Sequence, residues 1–236
     1  MMKIEVWSDY VCPFCYIGKR ELEQAIKETG LSDHVDVQFK AYELDPTTPL
    51  TGEDPLKESL MQKKGMSASQ VDGMFESVTE RAKTVGLDYD FSKMINANTK
   101  KSHRLAKYAE ANGKGAEIDE ALLKAHFLDN LALNVDEVLL DIAENVGLSR
   151  EGAQEVLSSD QYAEDVARDI QEAQAIGVQG VPFFVLERKY AISGAQPQQL
   201  FQETLQKVAD ELGIKLGLQV MGDSGVGLCE DGSCSI

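Results

Sequence analysis

The stretch VWSDYVCPFCYIGKREL, residues 6–22, holds the first two of four cysteines in a chain of 236 residues. Cys12 and Cys15 stand where one periodicity ends and another begins. Before them Ile4 and Val6 alternate with polar neighbours, which predicts a strand over residues 3–8. After them GKRELEQAIKETG, residues 18–30, sets Leu22 and Ile26 on one helical face and stops at Gly30. HVDVQFKAYEL, residues 34–44, then alternates Val35, Val37 and Phe39 as a second strand. Two strands joined through one helix are expected to lie parallel, with a right-handed crossover.

The place of the cysteine pair predicts its chemistry. Unpaired backbone N–H groups and the positive end of a helix dipole stabilise an anion at a helix N-terminus, so Cys12 is the expected nucleophile. Cys15, one turn on, is set to attack back, close an intramolecular disulfide and release a bound partner thiol. Pro13 suits the first helical position, where its missing N–H wastes no bond. A lone C-x-x-C also serves as half a zinc site or arises by coincidence, but after a strand and before a helix it reads as a thioredoxin-like redox motif.

From Pro55 to Gly177 the period is helical throughout. SASQVDGMFESVTERAKTVG, residues 67–86, opens with Ser67 and Gln70 at capping-box spacing and carries Val71, Met74, Phe75, Val78, Ala82 and Val85 on one stripe. Such stripes are core, not a cofactor site. The chain then returns to strands, VPFFVLER and YAISG, separated by a tight turn as in an antiparallel hairpin. A last helix starts near Pro197. The predicted organisation is an α/β core from 1–54 and 178–213, an all-helical insertion over 55–177, and a flexible, Gly- and Ser-rich tail over 214–236.

In QGVPFF, residues 179–184, the Val181–Pro182 bond precedes the third strand. In a thioredoxin-like order of elements this is where a cis-proline loop faces the dithiol, and proline alone makes cis inexpensive, at roughly 0.5–1 kcal/mol. Val181, Pro182 and Phe14 are therefore expected to border the substrate groove.

Composition narrows the function classes. Forty acidic against 23 basic residues give a net charge of −17, which repels nucleic-acid phosphates and anionic membranes alike. No apolar run approaches the roughly 18–20 residues that span a bilayer. The N-terminus reads as a strand, not a signal peptide, so a cytoplasmic protein is expected. Four cysteines in two tight pairs point to chemistry or metal rather than to a disulfide scaffold.

WSDYVCPFCYIGKREL, NTKKSHRLAKYA and GVQGVPFFVLERKYAISGAQ resemble the DsbA-like thioredoxin superfamily, and within it the FrnE branch, over about residues 3–211. That branch is related to 2-hydroxychromene-2-carboxylate isomerases and kappa-class glutathione transferases. The resemblance implies a thioredoxin core with a helical insertion, thiol–disulfide exchange by Cys12 and Cys15, and Pro182 in cis beside them. It implies protein or low-molecular-weight disulfide and dithiol substrates and no tightly bound cofactor, with glutathione as a co-substrate. Phe14 departs from DsbA itself, which has histidine within its motif, so a strongly oxidising poise is not carried over. The chain is similar to FrnE also in ending with a second pair, Cys229 and Cys234.

Other residues have two readings each. Asp9, three residues before Cys12, is either a proton relay for Cys15 or a loop cap. Asn98, Thr99 and His103 open an insertion helix that by resemblance lines the cleft; Asn98 is also an ordinary N-cap. Trp7, the only tryptophan, is expected in the core near the dithiol. His34 and His126 show no partner pattern. A disulfide between Cys229 and Cys234 closes too short a loop to stabilise much. From Gly213 the tail reaches roughly 22 Å by random-coil scaling, so it can bring its thiols to Cys12. Two alternatives compete with dithiol exchange: a glutathione-dependent isomerase or transferase of small molecules, and a zinc site of four cysteines, which needs all four thiolates at about 2.3 Å.

Overall fold

A computed structural model describes residues 1–52 and 54–215, together with the backbone of 229–230 and 233–234. Strand β1 (Met2–Ser8) leads through α1 (Pro13–Glu28) to β2 (Val35–Ala41). These strands are parallel, in register from Met2 opposite Val35 to Ser8 opposite Ala41. Strands β3 (Phe183–Leu186) and β4 (Tyr190–Ser193) complete a four-stranded sheet of order β2-β1-β3-β4, with β3 antiparallel to both its neighbours. The hairpin turn places Glu187 and Arg188 at φ of 50° and 53°. Neither residue favours that conformation, and Arg188 is held there by ion pairs to Glu5 and Glu172.

Between β2 and β3 run α2 (Leu56–Lys64), α3 (Ala68–Lys83), a 3-10 turn (Phe91–Lys93), α4 (Lys100–Ala111), α5 (Gly115–Phe127), α6 (Asp136–Asn145), α7 (Arg150–Ser158) and α8 (Ala163–Ala175). Helix α9 (Gln198–Glu211) follows the hairpin. The capping box at Ser67 and Gln70 is formed, with both reciprocal bonds present. Of the α3 stripe, Val71, Val78 and Ala82 are buried, while Met74, Phe75 and Val85 pack on the helical core from its margin.

Strand alternation sorts the core. Met2, Ile4 and Val6 face α1 and α9, joining Leu22, Ala25, Phe184, Phe201 and Leu205 in one buried cluster. Trp7 points the other way and packs with Ala173 of α8, Val178 and Val185. Its indole N–H donates to the Asp169 carbonyl at 2.9 Å. The third cluster fills the helical block and takes in Tyr16 and Ile17 of α1. Each large side chain so buried contributes on the order of 1.5–3 kcal/mol. Helix α1 thus lies between the sheet core and the helical core. It is fastened to α5 where Glu120 accepts from Lys19 at 2.5 Å and from the Tyr16 hydroxyl at 2.7 Å.

Helix α8 packs on both β2 and α4, so the helical segment is continuous with the sheet at that end. At the far C-terminus, β5 (Cys229–Glu230) and β6 (Ser233–Cys234) pair antiparallel, with Cys229 in register with Cys234. The flexible tail expected from the sequence lies outside the described residues between 216 and 228, and so do the side chains of both tail cysteines. No helix among the described residues is long and apolar enough to cross a membrane.

Candidate active site

Cys12 is the N-cap of α1, with φ −92° and ψ 111°, and Pro13 follows in the first turn. The Cys12 N–H donates to the Asp9 carbonyl at 3.1 Å, and the Cys12 carbonyl accepts from the Cys15 N–H at 3.0 Å. Extended backbone at Cys12 followed by helix at once is what brings both sulfurs to one end of α1. Both thiols are free. The Cys12 thiol donates to the Val181 carbonyl at 3.5 Å, and the Val181–Pro182 peptide is cis.

Cys15 lies one turn deeper, with 1% of its surface exposed, and its sulfur accepts from the Asp9 N–H at 3.5 Å. Burial pushes this thiol well up from its ordinary range, and the adjoining Cys12 adds to the effect. The Ser8 hydroxyl and the Asp9 amide act in the opposite direction. A thiol so placed stays protonated until a nearby group takes the proton.

Phe14, the proline loop, Gly18 and Tyr89 surround Cys12. Phe14 is 42% exposed, a large apolar side chain next to the sulfur. The Pro182 carbonyl accepts from the Gly194 N–H at 2.8 Å, tying the loop to the end of β4. Gly18 lets α1 approach this loop: a Cβ there would meet Pro182 Cγ and Phe184 Cζ at 3.0 Å each. Tyr89 closes the other flank, its hydroxyl donating to the Pro13 carbonyl at 2.9 Å.

The Asp9 amide, not its carboxylate, bonds Cys15. The carboxylate accepts from the Leu44 N–H at 2.7 Å and lies 3.3 Å from His103 Nε2. Of the three α4 candidates, His103 therefore comes to the site. Asn98 is not the N-cap: that position belongs to Thr99, whose side chain makes no cap bond. The Asn98 side chain accepts from the Lys100 N–H at 3.0 Å and donates to the Thr48 carbonyl at 2.7 Å, joining α4 to the loop after β2. Trp7 lies on the face of the sheet opposite α1.

The sequence matches the DsbA-like thioredoxin domain over residues 3–206. The chain belongs to the DsbA-like thioredoxin family. A probable DsbA oxidoreductase from Streptomyces coelicolor is 32% identical, with all of this chain and 99% of that one superposed at a TM-score of 0.84. The cytosolic disulfide reductase DsbM from Pseudomonas aeruginosa, solved with GSH, shares the fold at 17% identity and a TM-score of 0.62, over 88% of this chain and 99% of that one. A 2-hydroxychromene-2-carboxylate isomerase shares it at 15% identity and 0.66, over 89% and 98%. DsbA-like membership sets the chain among enzymes of the thiol–disulfide oxidoreductase and isomerase kind.

Several parts of this DsbA-like site escaped the sequence reading. Tyr89 reaches Pro13 across 76 residues, and Tyr10 donates to Asp119 Oδ1 at 2.5 Å across 109. No local pattern announces such pairs. Gly18 left a signal, since an isolated glycine in a helical pattern often marks a close approach. Among the described residues no group of three or more His, Cys, Asp or Glu side chains is arranged to hold a metal ion.

Proposed function

We propose that the protein is a cytoplasmic thiol–disulfide oxidoreductase or disulfide isomerase of the FrnE branch, working through Cys12 and Cys15. The observation that carries this reading is the free pair at the N-terminus of α1, with the outer sulfur against the Val181 carbonyl and the inner one buried. The Cys12 thiolate attacks one sulfur of a substrate disulfide; that S–S bond breaks, and the departing sulfur leaves with the electron pair. Cys15 then gives up its proton and attacks Cys12 Sγ. The Cys12–Cys15 disulfide forms, the mixed disulfide breaks, and two electrons have passed from enzyme to substrate. The reverse sequence oxidises a substrate dithiol, and release by a second substrate thiol reshuffles disulfides.

An extended peptide, or glutathione, is proposed to lie beside Pro182 with its backbone paired to the loop. Glutathione is the natural co-substrate to restore the dithiol, a reading supported by the DsbM structure solved with GSH. Cys229 and Cys234, in register across β5 and β6, are proposed to exchange disulfides with the core pair. No tightly bound cofactor is required, and the net charge of −17 disfavours nucleic acid and anionic membranes as partners.

The test equilibrates the full chain, and a form with both tail cysteines replaced by serine, in glutathione redox buffers. Alkylation and mass measurement then report the state of each pair. A reversible two-electron transition at Cys12–Cys15 supports dithiol exchange, and slower turnover of a protein disulfide in the serine form supports the tail relay. The absence of any transition removes dithiol exchange. Small-molecule isomerisation that survives loss of Cys15 replaces it with the glutathione-dependent reading. Stoichiometric zinc in protein purified without added metal, lost with the tail cysteines, replaces it with the four-cysteine site.

A further inference from the structure

Once the Cys12 thiol has lost its proton it can no longer donate to the Val181 carbonyl and needs a donor of its own. The N-cap position limits which donors it faces. A side chain there accepts from the second or third N–H of the helix, here those of Phe14 and Cys15. The Cys15 N–H is already bonded to the Cys12 carbonyl at 3.0 Å, and the Phe14 N–H has no partner among the described residues. We infer that Tyr89 is a positioning residue for this donor: its hydroxyl polarises the Pro13–Phe14 peptide and so strengthens the Phe14 N–H toward the Cys12 thiolate. This rests on the dithiol mechanism proposed above.

One peptide unit carries both contacts. The Tyr89 hydroxyl donates to the Pro13 carbonyl at 2.9 Å, and that carbonyl shares its peptide with the Phe14 N–H. A bond received at the oxygen draws electron density from the nitrogen, so the N–H at the other end becomes a stronger donor. A carbonyl oxygen has two lone pairs, so the bond from Tyr89 adds to the helix's own without displacing it. Pro13 has no N–H to offer, which leaves Phe14 as the first donor of α1.

Tyr89 reaches this peptide from the connection between α3 and the 3-10 turn, 76 residues after Pro13, and its aim is fixed by packing. It is 4% exposed, with its ring 4.9 Å from that of Phe127 and, edge-on, 5.8 Å from that of Phe91. Burial raises the phenol well above its ordinary range, and the neighbouring Cys12 adds to the effect, so the hydroxyl keeps its proton wherever the thiols react. The charged groups around it are engaged elsewhere. From α1, Arg20 and the Tyr16 hydroxyl are both bound to Glu120. From α5, His126 is held down to about 4 by burial and stays neutral. In its own connection, Asp90 is turned to Ser92. Tyr89 is thus the side chain that sets the polarity of this peptide.

No bond to hydrogen breaks at Tyr89 or at Phe14. The Cys12 thiolate attacks the substrate disulfide as described above, and the Phe14 N–H holds the sulfur's charge only until it passes to the departing thiolate.

The test follows alkylation of Cys12 against pH in the reduced full chain, with peptide mass mapping to separate it from the other thiols. Polarisation along a chain strengthens a bond by about 10–30%, which for a charge-assisted bond amounts to about twofold to fourfold in the ionised fraction. Tyr89→Phe keeps the ring and removes only the hydroxyl, so the pH at half-maximal alkylation should rise by about 0.3–0.6 pH unit. Fluorotyrosine placed at position 89 has a more acidic phenol and gives the stronger bond, so there the midpoint should fall. A purely structural role for Tyr89 lowers the melting temperature and leaves the midpoint in place. A midpoint unmoved in both variants therefore overturns the inference, as does a shift of the same sign in both. If Tyr89→Phe does not fold, the sign of the fluorotyrosine shift decides. The same proteins are equilibrated in glutathione redox buffers. A wild type without a two-electron transition at Cys12–Cys15 removes the dithiol mechanism, and this inference with it. A wild type that shows the transition beside unmoved variants removes only the role of Tyr89.

Discussion

Gly18→Ala tests how tightly α1 is laid against the proline loop. Alanine improves on glycine in a helix interior by about 1 kcal/mol, and on that ground alone the variant should be more stable. The added Cβ, however, meets Pro182 Cγ and Phe184 Cζ at 3.0 Å, so both must yield by a few tenths of an ångström. Neither has room. Phe184 is fully buried and packed edge-on against Phe201, with ring centres 4.9 Å apart, and Pro182 is held through its carbonyl by Gly194. Overpacking of this kind costs about 1–3 kcal/mol, in mid-range about twice the propensity gain. The net expectation is a loss on the order of 1 kcal/mol. For a chain of this size about 2–4 °C accompanies each kcal/mol, so the melting temperature should fall by roughly 2–4 °C. Because Pro182 is proposed to border the substrate groove, the second-order reaction of Cys12 with glutathione disulfide should slow as well. A displacement of a few tenths of an ångström implies about threefold to tenfold, given about 10²-fold for a full ångström. Thermal melting and stopped-flow rates measure the two effects. A variant that melts higher and reacts at the wild-type rate refutes the packing argument.

Cys15→Ser should leave attack by Cys12 intact and accumulate a mixed disulfide with glutathione, seen as a stable mass increase; a protein that releases glutathione as fast as wild type contradicts the resolving role. His126, held down to about 4 by burial, stays neutral in the folded protein while the unfolded chain takes up a proton near about 6.5. Its stabilising contribution is therefore lost as pH falls from about 6.5 to 4, by an amount on the order of 3 kcal/mol, and His126→Gln should lack that slope in urea melts. Asp119 acts in the opposite sense. Burial pushes its carboxyl up to about 6, so the folded protein keeps a proton that the unfolded chain has released, and stability falls as pH rises from about 4 to 6. Asp119→Asn, which keeps an acceptor for Tyr10, should gain on the order of 2–3 kcal/mol relative to wild type between pH 4 and 7, and equal pH slopes in the two proteins would contradict the assignment.

Local pattern and tertiary contact divide the molecule cleanly. Alternation at Ile4 and Val6, the Ser67–Gln70 cap and the proline before β3 are legible because each depends on neighbours within a turn or a strand. The cysteine pair is legible for the same reason: three residues of spacing and a strand-to-helix junction suffice to place both sulfurs at one end of α1. The N-cap of α4 is Thr99, one residue beyond the Asn98 that the sequence predicts. Asn98 still accepts from the Lys100 N–H in the first turn, but from one residue further out, and its amide also ties it to Thr48, fifty residues away, while Thr99 holds the N-cap position.

What the sequence by itself determined is the unit to which the proposed chemistry is assigned: a strand, a dithiol at a helix start, and a proline ahead of a hairpin. What only the tertiary structure decided is the setting of that dithiol. Asp9 and His103 stand 94 residues apart and meet because α5 and α8, which pack on β2, also pack on α4 and carry it to that end of the sheet. Gly18 touches Pro182 because α1 crosses over β3. Periodicity reports which face of an element is apolar, but not which other element covers it. A buried acid takes its partner from whichever helix the packing brings near.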